Sequence, residues 1–376
     1  MKLRMGFFCI LAGITLVASL SSRLLADGDG DHDFPVVTQI STTPPTFFAS
    51  TIPSNGDVNP YGVAFVPRGF PEGGPLSFGD IVVSNFNNSA NLQGTGTTIV
   101  SISPNGTQTL FFQGSTGLGL STALGVLRAG FVIVGNVPSV KGAGTCTQVG
   151  DEETGVEQGS LIILDRHGRM VKTLTSEQFL NGPWDLTIRD NGDTAAVFVS
   201  NVLSGTVTRI DLAVDDDDVR VIGKAQIASG YLHRCDVNAF VIGPTGLALQ
   251  PQSDTLYIAS TGDNTIFKIK NASTRSSDDG QGTAFVSDPV HMHGPLGLGL
   301  APNGDLLATQ GDAINPDPAH FSEITEFSPA GQFIGQFQID PAVGSAFGLA
   351  IVPLNDGFRF AAVDDGNNIL DVWNVR

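Results

Sequence analysis

One sequence motif recurs six times along this chain of 376 residues. Each copy contains a small or turn-forming residue, an apolar segment, a turn rich in Pro, Asn, Asp and Gly, and a second apolar segment. The copies begin at Tyr61-Gly62, Leu124-Gly125, Trp184-Asp185, Thr245-Gly246, Leu296-Gly297 and Phe347-Gly348. The anchor positions 62, 125, 185, 246, 297 and 348 are 63, 60, 61, 51 and 51 residues apart. A recurring period of this length with strand-like content is typical of radially repeated small β-sheets.

The repeats predict an all-β fold, a six-bladed β-propeller of four-stranded antiparallel blades that start near residues 58, 120, 181, 242, 293 and 344. The second strand of each repeat is a near-continuous apolar run, as expected of strands that are covered on both faces. The sixth repeat reaches Arg376 after only three strands. We therefore expect an N-terminal strand, either residues 36–40 or Phe47–Ser50, to complete the last blade and remove its open edge.

The first 26 residues have the features of an export signal. Lys2 and Arg4 make a basic start, an apolar run covers residues 7–20, and small residues follow it. The sequence therefore predicts a signal peptide over residues 1–26, an acidic flexible lead over 27–35 and a single propeller over 36–376. The alternative is that the apolar run remains as an N-terminal anchor. With cleavage, we expect an exported protein, either secreted or periplasmic.

The charge balance limits the partners of the protein. The chain has 19 basic and 37 acidic residues, and loss of three basic residues with the signal would leave a net charge of about −21. Such a surface repels nucleic acid and anionic lipid. We expect a monomer that binds a small molecule, a glycan or a protein, with no nucleic-acid partner and no membrane contact after signal cleavage.

Insertions distinguish the repeats from one another. Residues 67–79, 137–159, 229–241 and 312–320 extend loops beyond the minimal pattern, and such loops on a rigid scaffold usually carry specificity. Cys146 and Cys235 are the two cysteines that remain after signal removal, and both lie in these segments. Export permits a disulfide between them, and their geometry decides whether one forms.

Residues 243–269, 347–373 and 182–212 resemble NHL repeats, in which a Pro-Gly start, an apolar strand, an Asn/Asp-Gly turn and two further apolar strands follow one another. The resemblance extends over residues 58–376. The repeats in this region are broadly similar to those of the propeller superfamily of gluconolactonases, streptogramin lyases and peptidyl-hydroxyglycine lyases. It implies the fold and leaves the function open, because this fold carries enzymes, lectin-like binders and scaffolds.

The resemblance also implies a ring of residues at the mouth of the central channel, each just before the anchor position. The ring consists of Tyr61, Leu124, Trp184, Thr245, Leu296 and Phe347. Related lyases place histidines in this region, and calcium-dependent gluconolactonases place carboxylates and asparagines around the channel, but this chain has neither pattern at the matching positions. Asp185 replaces the glycine of the third repeat, where its carboxylate either enters the channel or caps a turn.

These features favour a non-catalytic propeller that binds its ligand through the loop-rich channel mouth, with no catalytic residue identified. The alternative is a metal-dependent lyase or lactone hydrolase with a divergent site. His291 and His293 are two apart and would point the same way on an extended segment, and His233 could join them. The cofactor would then be a divalent metal, calcium or zinc.

Overall fold

The computed structural model describes residues 34–149 and 152–376, so the predicted signal peptide and most of the acidic lead lie outside the described residues. Within these ranges, six four-stranded antiparallel sheets form the blades of a β-propeller, as predicted. We name the strands of each blade A to D from the channel outward. Among the described residues, no helix has both the length and the apolar character needed to cross a membrane.

Strands with the same letter occupy equivalent places in blades 1 to 6. The A strands, in blade order, are Val58–Phe65, Leu120–Leu127, Pro183–Asp190, Pro244–Gln250, Pro295–Leu300 and Ala346–Pro353. The B strands are Ile81–Asn87, Phe131–Asn136, Thr194–Asn201, Thr255–Ser260, Leu306–Gln310 and Phe358–Asp364. The C strands are Thr98–Ile102, Ser160–Leu164, Thr206–Val214, Thr265–Lys270, Glu323–Phe327 and Ile369–Val375. The D strands are Gln108–Gln113, Met170–Leu174, Val219–Ala228, Thr283–Val286, Phe333–Gln338 and Phe47–Ser50.

The apolar core lies between neighbouring blades. Side chains of the B and C strands of one blade pack on those of the next, as Leu161 and Ile163 of blade 2 do on Val197 and Val199 of blade 3. A B strand is therefore covered on both faces, and the B strand Ile81–Asn87 is buried along its whole length. This burial explains why the B strands are near-continuous apolar runs in the sequence.

The N-terminal strand Phe47–Ser50 completes blade 6, which confirms the predicted closure. It pairs antiparallel with the C strand of that blade, with Phe47 opposite Val372 and Ser50 opposite Ile369. The other candidate, residues 36–40, was wrong as a strand, because the chain forms a helix at Val36–Thr42. Its apolar side chains share one helix face and are buried against blades 5 and 6.

A buried carboxylate holds the start of this helix. Glu326 Oε1 accepts a hydrogen bond from Val36 N at 3.0 Å, and Glu326 Oε2 accepts one from Val37 N at 2.9 Å. These are N–H groups that the first turn of a helix leaves without a partner. Burial raises the pKa of Glu326 to about 7. A single side chain of blade 5 thus fixes the N-terminal segment on the propeller.

The recurring glycine of strand A is a packing requirement. A Cβ atom on Gly348 would lie 1.7 Å from Tyr61 O, and one on Gly62 would lie 1.9 Å from Thr122 O. A Cβ atom on Gly246 would lie 2.1 Å from Leu296 O. At four of the six contacts around the axis, neighbouring A strands therefore approach more closely than any side chain permits. This contact explains the glycine of blades 1, 4, 5 and 6, whereas Ala123 and Asp185 occupy the equivalent positions of blades 2 and 3.

Blade 2 departs from the predicted alignment by two residues. Leu124 pairs with Val134, and the equivalent pair in blade 1 is Val63 with Val83. The ring position of blade 2 is therefore Thr122, and Leu124 packs in the core between blades 1 and 2. The Leu-Gly motif of this repeat therefore lies two residues past the ring position, and the strand irregularity of blade 2 spans one residue more than that of the other blades.

Alanine at Gly348 is expected to destabilise the propeller by about 3 kcal/mol, because the new methyl group meets the carbonyl oxygen of Tyr61 rather than a movable side chain. Gly335→Ala is the matched control, since its Cβ atom meets only Val37 Cγ2, at 3.1 Å. Urea unfolding of both variants and the parent measures the difference. Equal losses of unfolding free energy in the two variants would contradict the close approach of the A strands.

Candidate functional site

A cavity of about 620 Å³ lies at the end of the propeller where the D–A and B–C connections meet. We call it the mouth cavity. Its apolar lining includes the larger side chains Tyr61, Phe86, Trp184, Val241, Leu296, Val343 and Phe347. Its polar lining includes Asn59, Asn87, Asn91, Gln93, Asn238, Thr261, Asp312 and Asp365. An apolar enclosure with a few polar groups is the usual composition of a small-molecule site.

An aromatic cluster forms the floor of the mouth cavity. The ring of Tyr61 stacks on Phe347 at 5.1 Å between centroids and meets Trp184 edge-on at 5.6 Å. Trp184 Nε1 donates a hydrogen bond to Tyr61 Oη at 2.9 Å, and Phe86 packs against the other side of the indole. Trp184 and Tyr61 are only 3% and 4% exposed. These two side chains therefore belong to the core, and burial raises the pKa of the Tyr61 phenol.

A second cavity, of about 320 Å³, follows the channel below this floor and is lined by the A strands. Tyr61 borders both cavities, so the aromatic cluster lies between them. Asp185 borders the lower one, at the glycine position of blade 3. Its Oδ2 accepts a hydrogen bond from Leu247 N of blade 4 at 3.1 Å, and its Oδ1 accepts one from Leu186 N at 2.6 Å. Burial raises the pKa of Asp185 to about 7.

A disulfide ties a hairpin of the mouth cavity wall to the insertion of blade 2. Cys146, in the insertion of blade 2, is bonded to Cys235, in the hairpin between blades 3 and 4, with the Cα atoms 5.2 Å apart. That hairpin pairs Arg234–Asp236 with Phe240–Ile242. Its Phe240 packs on Phe86 at 5.9 Å between ring centroids. Two of the four insertions expected to carry specificity, 229–241 and 312–320, thus supply residues of the cavity wall, and 67–79 and 137–159 do not.

The structure places the predicted mouth residues in three different settings. Tyr61, Trp184, Leu296 and Phe347 line the mouth cavity. Leu124 borders the lower cavity. Thr245 is buried within blade 4, and its hydroxyl donates to Pro295 O at 3.1 Å, which makes it part of the contact between blades 4 and 5.

The predicted histidine group is not assembled. The segment before strand A of blade 5 is a turn, and the two rings have separate partners: His291 Nδ1 contacts Asp288 Oδ2 at 2.7 Å, whereas His293 Nδ1 contacts Asn315 O. His291 also stacks on Phe333. Across the described residues, no three His, Cys, Asp or Glu side chains are grouped so that they could hold a metal ion. The residues described therefore do not fit a zinc site.

Polar residues of the turns around the cavity were missed by reasoning from the sequence. Asn59 Oδ1, Asn87 Oδ1 and Asp312 Oδ1 are buried and accept no hydrogen bond. Asp365 is partly buried, and burial raises its pKa to about 7. The sequence signal for these residues is weak, since Asn and Asp in turns most often bond to their own backbone. Asn59 does carry one local mark, a left-handed φ of 61°.

Comparison with known proteins identifies the architecture. A gluconolactonase from Xanthomonas campestris matches with a TM-score of 0.51 and 14% identity, over 86% of this chain and 88% of that one. The calcium-binding protein regucalcin from Agrobacterium tumefaciens matches with a TM-score of 0.50 and 12% identity, over 87% and 93%. The likeness is one of fold. No protein-family model matches the chain, and no curated protein matches its sequence.

The predicted resemblance to the gluconolactonase group of propellers is thus confirmed at the level of architecture. At this identity, the fold is all that the chain is shown to share with these proteins. The calcium named for regucalcin is a property of that protein. The function of the mouth cavity therefore depends on the residues that line it in this chain.

Proposed function

We propose that this protein is an exported binding protein that holds a small molecule in the mouth cavity. The observation that carries the proposal is the cavity itself, about 620 Å³ in volume, with an aromatic floor and a few polar side chains in its lining. An apolar enclosure of this size with a few polar groups can bury most of the surface of a small molecule and fix its orientation. Export is supported by the basic and apolar start of the chain and by a disulfide at the cavity wall.

A small molecule is favoured over a protein partner. The site is concave and bounded by the aromatic floor and the hairpin Arg234–Ile242, whereas protein partners usually require a broad surface. The alternative of a lyase or lactone hydrolase rests on the fold, and no arrangement of the described side chains favours it. The floor residues Tyr61 and Trp184 are bonded to each other within the core, as in a rigid binding surface.

A cavity-filling variant tests the proposal. Compounds that raise the melting temperature of the mature chain are first identified from a diverse small-molecule library, and their affinities are measured by calorimetry. Val343 is 60% exposed at the cavity rim, so Val343→Trp should leave the fold intact and weaken binding roughly ten-fold or more.

Val171→Trp is the matched control, because Val171 is 49% exposed on the outer strand of blade 2, away from the cavity lining. Its affinity should equal that of the parent. The mouth cavity would be refuted as the site if the library contained no binder. It would also be refuted if Val343→Trp left the affinity of the binders unchanged.

A further inference from the structure

We propose that a groove on the outer side of blade 6 binds an arginine side chain of a protein partner, whose extended segment pairs with the free edge of that blade. The groove, which we call the outer groove, has a volume of about 430 Å³. It lies between the end of the helix Val36–Thr42, blade 5 and strand C of blade 6, and its apolar wall includes Phe337 and Trp373. Among the described residues that line it, Asp371 alone is charged, and none also lines the mouth cavity.

Asp371 points to a ligand because its carboxyl group has no partner. The residue is only 9% exposed, yet no described residue donates a hydrogen bond to it and no described Lys, Arg or His forms an ion pair with it. Both of its oxygens are open to solvent, in contrast to a closed oxygen such as Glu323 Oε2. A carboxylate so far removed from water costs free energy, and a cation that reaches it through the groove offsets this cost.

The surroundings of Asp371 favour a guanidinium group. Since neither carboxyl oxygen is engaged, a planar guanidinium can donate to both at once, which an ammonium group does not reproduce. Phe48 lies directly opposite Asp371 on the neighbouring strand, and it is 70% exposed. Side chains of opposite residues share a face of the sheet, with their Cβ atoms about 5 Å apart. A guanidinium paired with Asp371 is therefore beside an aromatic ring, which attracts cations.

The edge of blade 6 indicates that the arginine comes from an extended polypeptide. Strand Phe47–Ser50 is the last strand of the sheet, with no described strand on its outer side. Thr51 N donates to Asn368 O at 3.0 Å, and hydrogen-bonded pairs alternate along an antiparallel ladder, so the N–H and C=O of Phe48 point outward. An added strand can pair with them. Its residue opposite Phe48 would lie two strand spacings, about 10 Å, from Asp371, and a long arginine side chain crosses this distance over the Phe48 ring.

Blocked peptides test the proposal by calorimetry with the mature chain. Burial raises the pKa of Asp371 to about 6, so the carboxyl group is ionised at about pH 8, where binding is measured. The probe is acetyl-Thr-Val-Arg-Val-Thr-amide, whose β-branched residues suit a strand. We expect it to bind, and its citrulline analogue, which carries an uncharged urea of the same shape, to bind roughly ten-fold more weakly or less. Acetylarginine amide has the guanidinium without the strand and should also bind roughly ten-fold more weakly.

Paired variants locate the guanidinium. Asp371→Asn keeps the shape of the side chain and removes its charge, and should weaken binding of the arginine peptide roughly ten-fold or more. Asp356→Asn makes the same change of net charge at an exposed turn of the same blade and should have no effect. Phe48→Ser should weaken binding several-fold, whereas Phe78→Ser, which removes an exposed ring from the insertion of blade 1, should not. A thermal melt of each variant establishes that it is folded.

Four results would overturn the proposal. The arginine peptide does not bind, or binds no more tightly than its citrulline analogue. Asp356→Asn reduces its affinity as much as Asp371→Asn, which would show attraction to the acidic surface. Acetylarginine amide binds as tightly as the peptide, which would assign the outer groove to a small molecule. Val343→Trp abolishes peptide binding, which would place the peptide in the mouth cavity. A failure to find ligands of the mouth cavity leaves all four tests unchanged, because the two sites share no lining residue.

Discussion

Removal of residues 34–51 is expected to leave the chain unable to fold as a monomer. The deletion takes away the D strand of blade 6 and the helix Val36–Thr42 together. Val36, Val37 and Ile40 are fully buried, and their loss alone would cost about 6 kcal/mol at roughly 2 kcal/mol for each side chain. That is comparable to the whole stability of an ordinary domain, about 5–15 kcal/mol.

Further contacts are lost with the same segment. Trp373 Nε1 donates to Thr43 O at 3.0 Å, and the C strand of blade 6 would be left with an open edge. Circular dichroism, urea unfolding and size-exclusion chromatography of the truncated chain measure the effect. A chain that begins at residue 34 retains the whole segment and is the control, since it should unfold like the mature protein. A truncated product that is monomeric and unfolds cooperatively would refute the role of the N-terminal strand.

The free energy of unfolding is expected to fall as the pH rises from about 4 to about 8. Burial raises the pKa values of nine carboxyl groups among the described residues, and the five largest shifts take the pKa to about 7 for Asp185, Glu323, Glu326 and Asp365 and to about 6 for Asp371. In this pH range the folded chain retains protons that the unfolded chain has released. Each proton retained makes stability decline with rising pH, and the decline ends above the folded pKa values.

Urea unfolding at about pH 5, 6, 7 and 8 measures this dependence, and we expect a total loss on the order of several kcal/mol. Glu326→Gln is the diagnostic variant, because it holds one of the five groups neutral and should flatten the profile. Asp165 and Asp288 have lowered pKa values, through hydrogen bonds from Arg169 and His291 among others, so their contribution is lost only below about pH 4. A stability that is constant or rising between pH 5 and 8 would contradict the expectation.

The blade architecture could be predicted from the sequence because its cause is local and repeated. In four of the six blades the A strand approaches the next too closely for a side chain, so a glycine such as Gly246 recurs at the same place in those repeats. The B strands are covered on both faces and are therefore apolar throughout. The closing strand was predictable because the last repeat lacks a partner for the edge of Ile369–Val375.

Other features depend on contacts between distant parts of the chain. The residues 36–40 have the composition of a strand, and a carboxylate of blade 5, Glu326, makes the helix favourable. The two-residue offset in blade 2 is set by the strand register, in which Leu124 pairs with Val134 and Thr122 occupies the ring position. The side-chain amide of Asn59 donates to Asp365 of blade 6, so this contact at the cavity has no signature in the local sequence.

The disulfide has one more consequence. The chain between Cys146 and Cys235, which are 89 positions apart, contains the two outer strands of blade 2 and the whole of blade 3. A protease that cuts the exposed turn at residues 215–217 would therefore produce two polypeptides that remain one covalent molecule. On a gel, the nicked protein would run as a single species without reductant and separate into two fragments when reductant is added.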